Sequence, residues 1–260
     1  MMLHFSRQDV TTDPFPHIIK KGIFDESVAK ELCATFPDER FFDDGNPERK
    51  ERNMLSLRDP RFKDFLDANP TWNALVRYLN SDEFVGKLIS IFADDIAALN
   101  GWVRPDHCFF SRTRWSTVGR GYQRLVSKIN RTLHMRDEIR LELAINRSRV
   151  GYESRAHTDA RYKLANFLIY LNDLDDCGRE GGELLLFRHR DKKAPADYER
   201  HPPLDRLEPV AEVVPAMNTA YFGLNCNNSY HGVRALTLRR GERRFLYGSL
   251  NVLDTKDAWH

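Results

Sequence analysis

LANFLIYLNDLDDCGREGGELLLF, residues Leu164–Phe187, sets two short apolar runs, LANFLIYLN and GGELLLF, on either side of a polar segment. Aliphatic and aromatic residues fill the runs, and Gly, Asn and Asp bound them, as in short strands joined by turns. The same texture extends outward. IRLELAIN precedes the stretch, and AEVVP, TAYFGL and RRFLYGSLN follow it. Many short strands without intervening helices point to an antiparallel sandwich or barrel rather than a βαβ fold. The charged, proline-containing DKKAPADYERHPPLDRLE (Asp191–Glu208) reads as a long surface loop.

Upstream the period changes. PFPHIIKKGIF suggests an extended lead-in, and DESVAKELCATF then starts a helix with Asp25 as N-cap and Val28, Leu32 and Phe36 on one face. TWNALVRYL (Trp72, Leu75, Val76, Leu79) and SDEFVGKLISIF (Phe84, Val85, Leu88, Ile89, Phe92, after the N-cap Ser81) repeat the pattern. No linker divides the chain. The expected fold is α+β: one domain over 1–260, with 1–139 a mainly helical lead-in and support, and 140–253 a double-stranded β-helix (jelly-roll) core.

Composition narrows the partners. Charged residues make up 30% of 260 residues with a net charge of only +2, which argues against a nucleic-acid binder by bulk charge. No apolar run approaches the roughly 20 residues that span a bilayer, so no membrane partner is expected. MMLHFSRQDVTTDPFP lacks the charge and apolar pattern of a secretory signal. Cys33, Cys108, Cys177 and Cys226 are far apart with no CxxC, as for free thiols in a cytoplasmic protein. Nothing in the sequence speaks to oligomeric state.

The chemistry centres on SRAHTDARYK (Ser154–Lys163). Nine histidines and 23 aspartates give about 0.8 His-x-Asp pairs by chance, so the tripeptide alone means little. Residues two apart on a strand share a side, so His157 and Asp159 could grip one ion with Thr158 turned away. His231 in NSYHGV follows an apolar strand and a turn, and supplies a third ligand. Two histidines and a carboxylate on one face leave coordination positions open, as in non-haem Fe(II) oxygenases. The rival pair, His189 and Asp191 in RHRDKK, is crowded by basic residues and reads as a solvated strand end.

The ordered set HTDARYKLANFLIYLND, EGGELLLF, YHGV and RRFLYGSL resembles the prolyl-4-hydroxylase-like branch of the Fe(II)/2-oxoglutarate-dependent dioxygenases, over roughly Arg140 to Asn251. The resemblance implies that His157, Asp159 and His231 bind Fe(II) and act as the catalytic set. It implies cosubstrate contacts from a basic residue, Arg244 or Arg243, and from Tyr170, which is equally readable as a core tyrosine. Arg244 is preferred because Leu246 and Gly248 on its side leave room, whereas Arg243 brings Phe245 and Tyr247. Asn146 falls where family members often carry a tyrosine. The implied activity is hydroxylation of an unactivated C–H bond, with 2-oxoglutarate and O2 converted to succinate and CO2. The presence of Asp159 favours hydroxylation, since related halogenases lack it. Desaturation or ring closure uses the same ligands.

Between Gly101 and Arg161 twelve Arg and one Lys face six acidic residues. This enrichment is either a solvated face or a basic rim for an anionic, small or carrier-tethered substrate, with Arg147, Arg149, Arg155 and Arg161 close to the HTD. Trp102, Phe109 and Trp115 could line an apolar pocket or pack a core. Two other readings stay open: a non-catalytic jelly-roll with a vestigial metal site, and a protein- or nucleic-acid-directed oxygenase of the same chemistry.

Overall fold

The structure, a computed structural model, describes residues 3–42, 51–99, 103, 108–110, 129, 132, 137–191, 198–252 and 258–259. Trp102, Trp115 and the arginines between 104 and 136 lie outside these residues.

Among the described residues, five helices come from the first part of the chain: α1 Glu26–Ala34, α2 Pro60–Ala68, α3 Pro70–Leu79, α4 Asp82–Ile91 and α5 Ala93–Ala98. Their starts follow from local chemistry. The Asp59 carboxylate accepts from the Arg61 amide at 2.9 Å ahead of Pro60, and Ser81 Oγ accepts from the Phe84 amide at 3.3 Å. Asp25 takes the N-cap position of α1 without a side-chain cap hydrogen bond. The expected stripes face inward: Trp72, Leu75, Val76 and Leu79 of α3 and Phe84, Val85, Leu88 and Ile89 of α4 are buried.

The strands are β1 Val10–Thr11, β2 His17–Lys21, β3 Arg52–Ser56, β4 Cys108–Phe110, β5 Asp137–Ser148, β6 Ser154–His157, β7 Lys163–Tyr170, β8 Leu184–His189, β9 Leu207–Val213, β10 Thr219–Leu224, β11 Tyr230–Val233 and β12 Arg243–Val252. They form two sheets. The larger runs β1-β2-β10-β7-β12-β5-β3, with β4 parallel to β5 at one end, and the smaller runs β6-β11-β8-β9. These are the two walls of a double-stranded β-helix. Four strands from the first part of the chain, β1 to β4, extend the larger wall.

Strand alternation divides the larger sheet's faces. Phe167 of β7 and Phe222 of β10 turn outward, where Phe84 meets Phe167 edge-on at 5.6 Å and Phe5 stacks on Phe222 at 4.6 Å. Asn166, Leu168 and Tyr170 turn inward and line the space between the walls. The helical layer therefore backs the sheet, and the inner face is left to the site. No helix among the described residues is long and apolar enough to cross a membrane. All four cysteines are free thiols.

Candidate metal centre and its cavity

β6 and β11 are antiparallel neighbours in the smaller sheet, and His231 lies directly opposite His157 in their register. The two imidazole centroids are 4.6 Å apart. Asp159 follows two residues on, and one ligand atom from each of His157, Asp159 and His231 lies within 4.8 Å of the others. Thr158 turns away, as alternation requires: its buried hydroxyl donates to the Cys226 carbonyl at 3.0 Å and pairs with Ser229 Oγ at 3.1 Å. Asn225 fixes the turn after the strand, accepting from the Asp159 amide at 3.1 Å and donating to the Ala160 and Lys163 carbonyls at 3.0 Å.

Both histidines are oriented the same way. His157 Nδ1 lies 2.8 Å from the Arg155 carbonyl and His231 Nδ1 lies 2.9 Å from the Ser229 carbonyl. A carbonyl can only accept, so each Nδ1 carries a proton and each Nε2 is the nitrogen left to face an ion. Burial, followed by His231, holds the His157 imidazole below its ordinary pKa, which favours the neutral ligand form.

Asp159 is 7% exposed. Lys163 Nζ donates to its Oδ1 and Asn166 Nδ2 to its Oδ2, both at 2.9 Å. Burial alone would raise this carboxyl, but His231, Lys163 and Asn166 outweigh it and hold Asp159 well below the usual carboxylate range. Burial likewise pulls the Lys163 ammonium down, and Tyr247 and Asp159 together push it up further. Lys163 also donates to Tyr247 Oη at 2.9 Å. A charged carboxylate with both oxygens engaged is thus fixed beside the two imidazoles.

These ligands open onto a cavity of about 270 Å³ between the walls. Arg243 lines it and is 2% exposed. Its Nε donates to Ser148 Oγ at 3.1 Å and its Nη1 to the Gly182 carbonyl at 2.6 Å, with the guanidinium 4.8 Å from the Phe245 ring centroid. Arg244 faces the other way, pairs with Glu242 at 3.1 Å and lies 4.7 Å over Phe36. The expected orientation of β12 is therefore corrected. Phe245 and Tyr247 do share Arg243's side, yet Phe245 lies beside its guanidinium and Tyr247 takes the Lys163 ammonium, so neither fills the space.

Tyr170 lines the cavity at 1% exposure, and its hydroxyl finds no hydrogen-bond partner among the described residues. Asn146 is buried behind the lining. Its Oδ1 accepts from Arg52 Nε at 3.0 Å and its Nδ2 donates to the Ala144 carbonyl at 2.8 Å.

The four arginines expected beside a substrate do not line the cavity, and Arg149 is exposed and paired with Glu39 at 2.8 Å. Arg147 lies on the outer face, paired with Glu39 at 3.0 Å and 4.8 Å over Phe42. Arg161 donates to the Trp259 carbonyl at 3.1 Å and lies 5.6 Å over Tyr198. Arg155 is exposed on β6. The rival His189 is not solvated but buried at 6% exposure, 6.0 Å from the Tyr230 ring, and only Asp191 is exposed. Arg52, Tyr152, Lys163, Tyr221 and Tyr247 line the cavity without having been singled out in the sequence. Lys163 ends the quoted SRAHTDARYK, where its spacing of four from Asp159 was the available signal.

No protein-family model and no curated protein matches the chain. Among solved structures it is similar to a prolyl 4-hydroxylase from Phytophthora capsici, at 14% identity over 93% of this chain and 60% of that one, with a TM-score of 0.46. The chain thus spans 60% of that protein's length. It is also similar to a Pseudomonas putida prolyl-4-hydroxylase, at 13% identity over 90% of this chain and 91% of that one, TM-score 0.43. A third is an oxidoreductase of the 2OG-Fe(II) oxygenase family from Burkholderia pseudomallei, at 14% identity over 94% of this chain and 87% of that one, TM-score 0.45. These likenesses are distant, and the functional reading rests on the site's own residues.

Proposed function

We propose that the chain is an Fe(II)/2-oxoglutarate-dependent oxygenase that hydroxylates an unactivated C–H bond of a small or carrier-tethered, anionic substrate. One observation carries the reading: His157, Asp159 and His231 face the same small cavity as a buried arginine and a buried phenol with no partner among the described residues. Two imidazoles and one carboxylate suit Fe(II) and leave positions for other ligands. Arg243 has no carboxylate partner among the described residues, and Tyr170 Oη has no partner at all among them. Both fit the far carboxylate of a keto-acid cosubstrate.

Fe(II), 2-oxoglutarate and O2, when bound, would supply oxidation of an unactivated C–H bond, with succinate and CO2 as by-products. The chain's residues do the rest. The Arg155 and Ser229 carbonyls aim the two imidazoles, and Lys163 and Asn166 hold the carboxylate in one orientation. Phe245, Leu168 and Leu184 wall the cavity with apolar surface, which limits water at the reacting carbon. The His201 ring stands 5.9 Å from that of His157, with Arg155 and Arg200 close enough to act electrostatically on it. These arginines support an anionic group on the substrate.

The test is succinate production measured across pooled amino acids, sugars and carrier-bound acyl groups, beside a His157→Ala control. Stimulation by one of these pools, lost in the variant, is the expected result. Stimulation only by a polypeptide or nucleic acid would overturn the substrate class. Absence of a visible charge-transfer band on anaerobic addition of Fe(II) and 2-oxoglutarate would favour the non-catalytic jelly-roll instead.

A further inference from the structure

Arg52 is the second arginine in the cavity, and it comes from the edge strand β3. The register sets Arg52 opposite Ser148 of β5, and Ser148 opposite Arg243 of β12. One row across three strands thus reads Arg, Ser, Arg on the inner face. The two guanidiniums converge from its ends. Arg52 lies 5.4 Å from the Phe245 centroid and 5.7 Å from that of Tyr152, and Arg243 lies 4.8 and 5.1 Å from the same two rings. Arg52 Nη1 donates to Tyr152 Oη at 3.2 Å, and Arg243 interacts with the same hydroxyl.

Neither guanidinium has a carboxylate partner among the described residues. Asp159 is held by Lys163, and Glu183 by Arg179 and Arg234. Asn146 and Tyr152 fix Arg52 through its Nε and Nη1, and its Nη2 makes no protein hydrogen bond among the described residues. Two like charges on one neutral hydroxyl repel, and in a partly desolvated cavity that arrangement calls for an anion. A carboxylate suits it, since its two oxygens can each take one guanidinium edge.

We propose that Arg52 and Arg243 form a two-guanidinium clamp on a single carboxylate, the far carboxylate of the keto-acid cosubstrate, so that edge strand β3 completes the cosubstrate site. This rests on the oxygenase reading above. It makes the site selective for a dicarboxylate over a monocarboxylate keto acid through two arginines from opposite ends of one sheet row.

Calorimetric titration of the Mn(II)-loaded full chain tests it, with 2-oxoglutarate and with 2-oxobutyrate, which keeps the keto-acid end and lacks the far carboxylate. Arg52→Gln is expected to weaken 2-oxoglutarate by about tenfold or more and to leave 2-oxobutyrate unchanged. Arg52→Lys, which keeps a charge and the strand, is expected to fall between. Wild-type affinity for 2-oxoglutarate in Arg52→Gln, beside a loss in Arg243→Gln, would overturn the clamp and leave the oxygenase reading standing. Equal weakening of both ligands would overturn it too, as a sign that Arg52 supports the fold. A wild-type protein that binds neither ligand would overturn the oxygenase reading and the clamp with it.

Discussion

Arg243 and Arg244 are adjacent in sequence and opposite in surroundings. Arg243 gives its donors to Ser148 and to a carbonyl inside the cavity, whereas Arg244 leans on Glu242 and Phe36 with its side chain 36% exposed. Arg243→Gln should weaken 2-oxoglutarate binding by about a hundredfold, the scale of a lost charge-assisted bidentate contact. Arg244→Gln should leave binding within about twofold and cost at most about 1 kcal/mol of stability. Calorimetry on both variants checks this, and equal losses would dissolve the distinction. A second single-residue prediction concerns His17, 3% exposed on β2, whose Nδ1 lies 2.7 Å from the Phe15 carbonyl. Burial holds its pKa below the ordinary 6.5, against the smaller upward pull of Phe15 and Asp13. Between the folded pKa and 6.5 the unfolded chain takes up a proton that the folded chain refuses. Its stabilising contribution is therefore intact above 6.5 and is lost as pH falls through that window. Urea unfolding between about pH 7.5 and pH 5.5 should show a shallower decline in His17→Asn than in the wild type; parallel curves would exclude His17 as a source of the pH dependence.

At the scale of elements, β11 matters most because its four residues carry His231. A Cβ on Gly232 would sit 2.8 Å from the Ser154 carbonyl oxygen and 3.2 Å from the Ala156 amide, both backbone atoms of β6. Backbone cannot swing aside, so Gly232→Ala should part β11 from β6 and move His231 off His157. The expected result is a lower melting temperature and Mn(II) affinity reduced by about tenfold or more. Gly86→Ala in α4, where a Cβ meets nothing within 4 Å, is the control and should keep wild-type affinity. Unchanged Mn(II) binding in Gly232→Ala would sink the idea. The same scale shows what the sequence could reveal. Helices α1, α3 and α4 were legible because apolar stripes recur over several turns, and β5, β7, β10 and β12 because long apolar runs are bounded by turn residues. α2 and β3 escaped notice. RNMLS has no apolar alternation, since Arg52 and Met54 share the side facing the site. The three proposed metal ligands stood out because few residue types can ligate. Arg52 and Lys163 did not, because long cations are common on surfaces and only the strand register turns these two inward.

For the whole molecule, the question is whether the helical layer and the jelly-roll stand alone. One continuous cluster of buried residues runs from Leu3 and Phe5 through the helices and the larger sheet to Trp259. Phe84 of α4 is its hinge point, fully buried and packed edge-on against both Phe5 and Phe167. Phe167 is next in β7 to Asn166, which holds Asp159. Helix packing on the outer face thus sets the backbone that positions a proposed metal ligand on the inner one. Phe84→Ala should cost about 3–5 kcal/mol, the range for an aromatic side chain removed from a core. Because the cavity it leaves lies between the layers, helix signal in the far ultraviolet and aromatic signal in the near ultraviolet should fall together, in the wild type and at a lower temperature in the variant. Mn(II) should raise both melting signals equally, since an ion bound only to the folded state stabilises whatever unfolds with the site. Two separate transitions, with Mn(II) shifting only one, would show that the helices and the β-helix are independent bodies and that the outer face does not support the site.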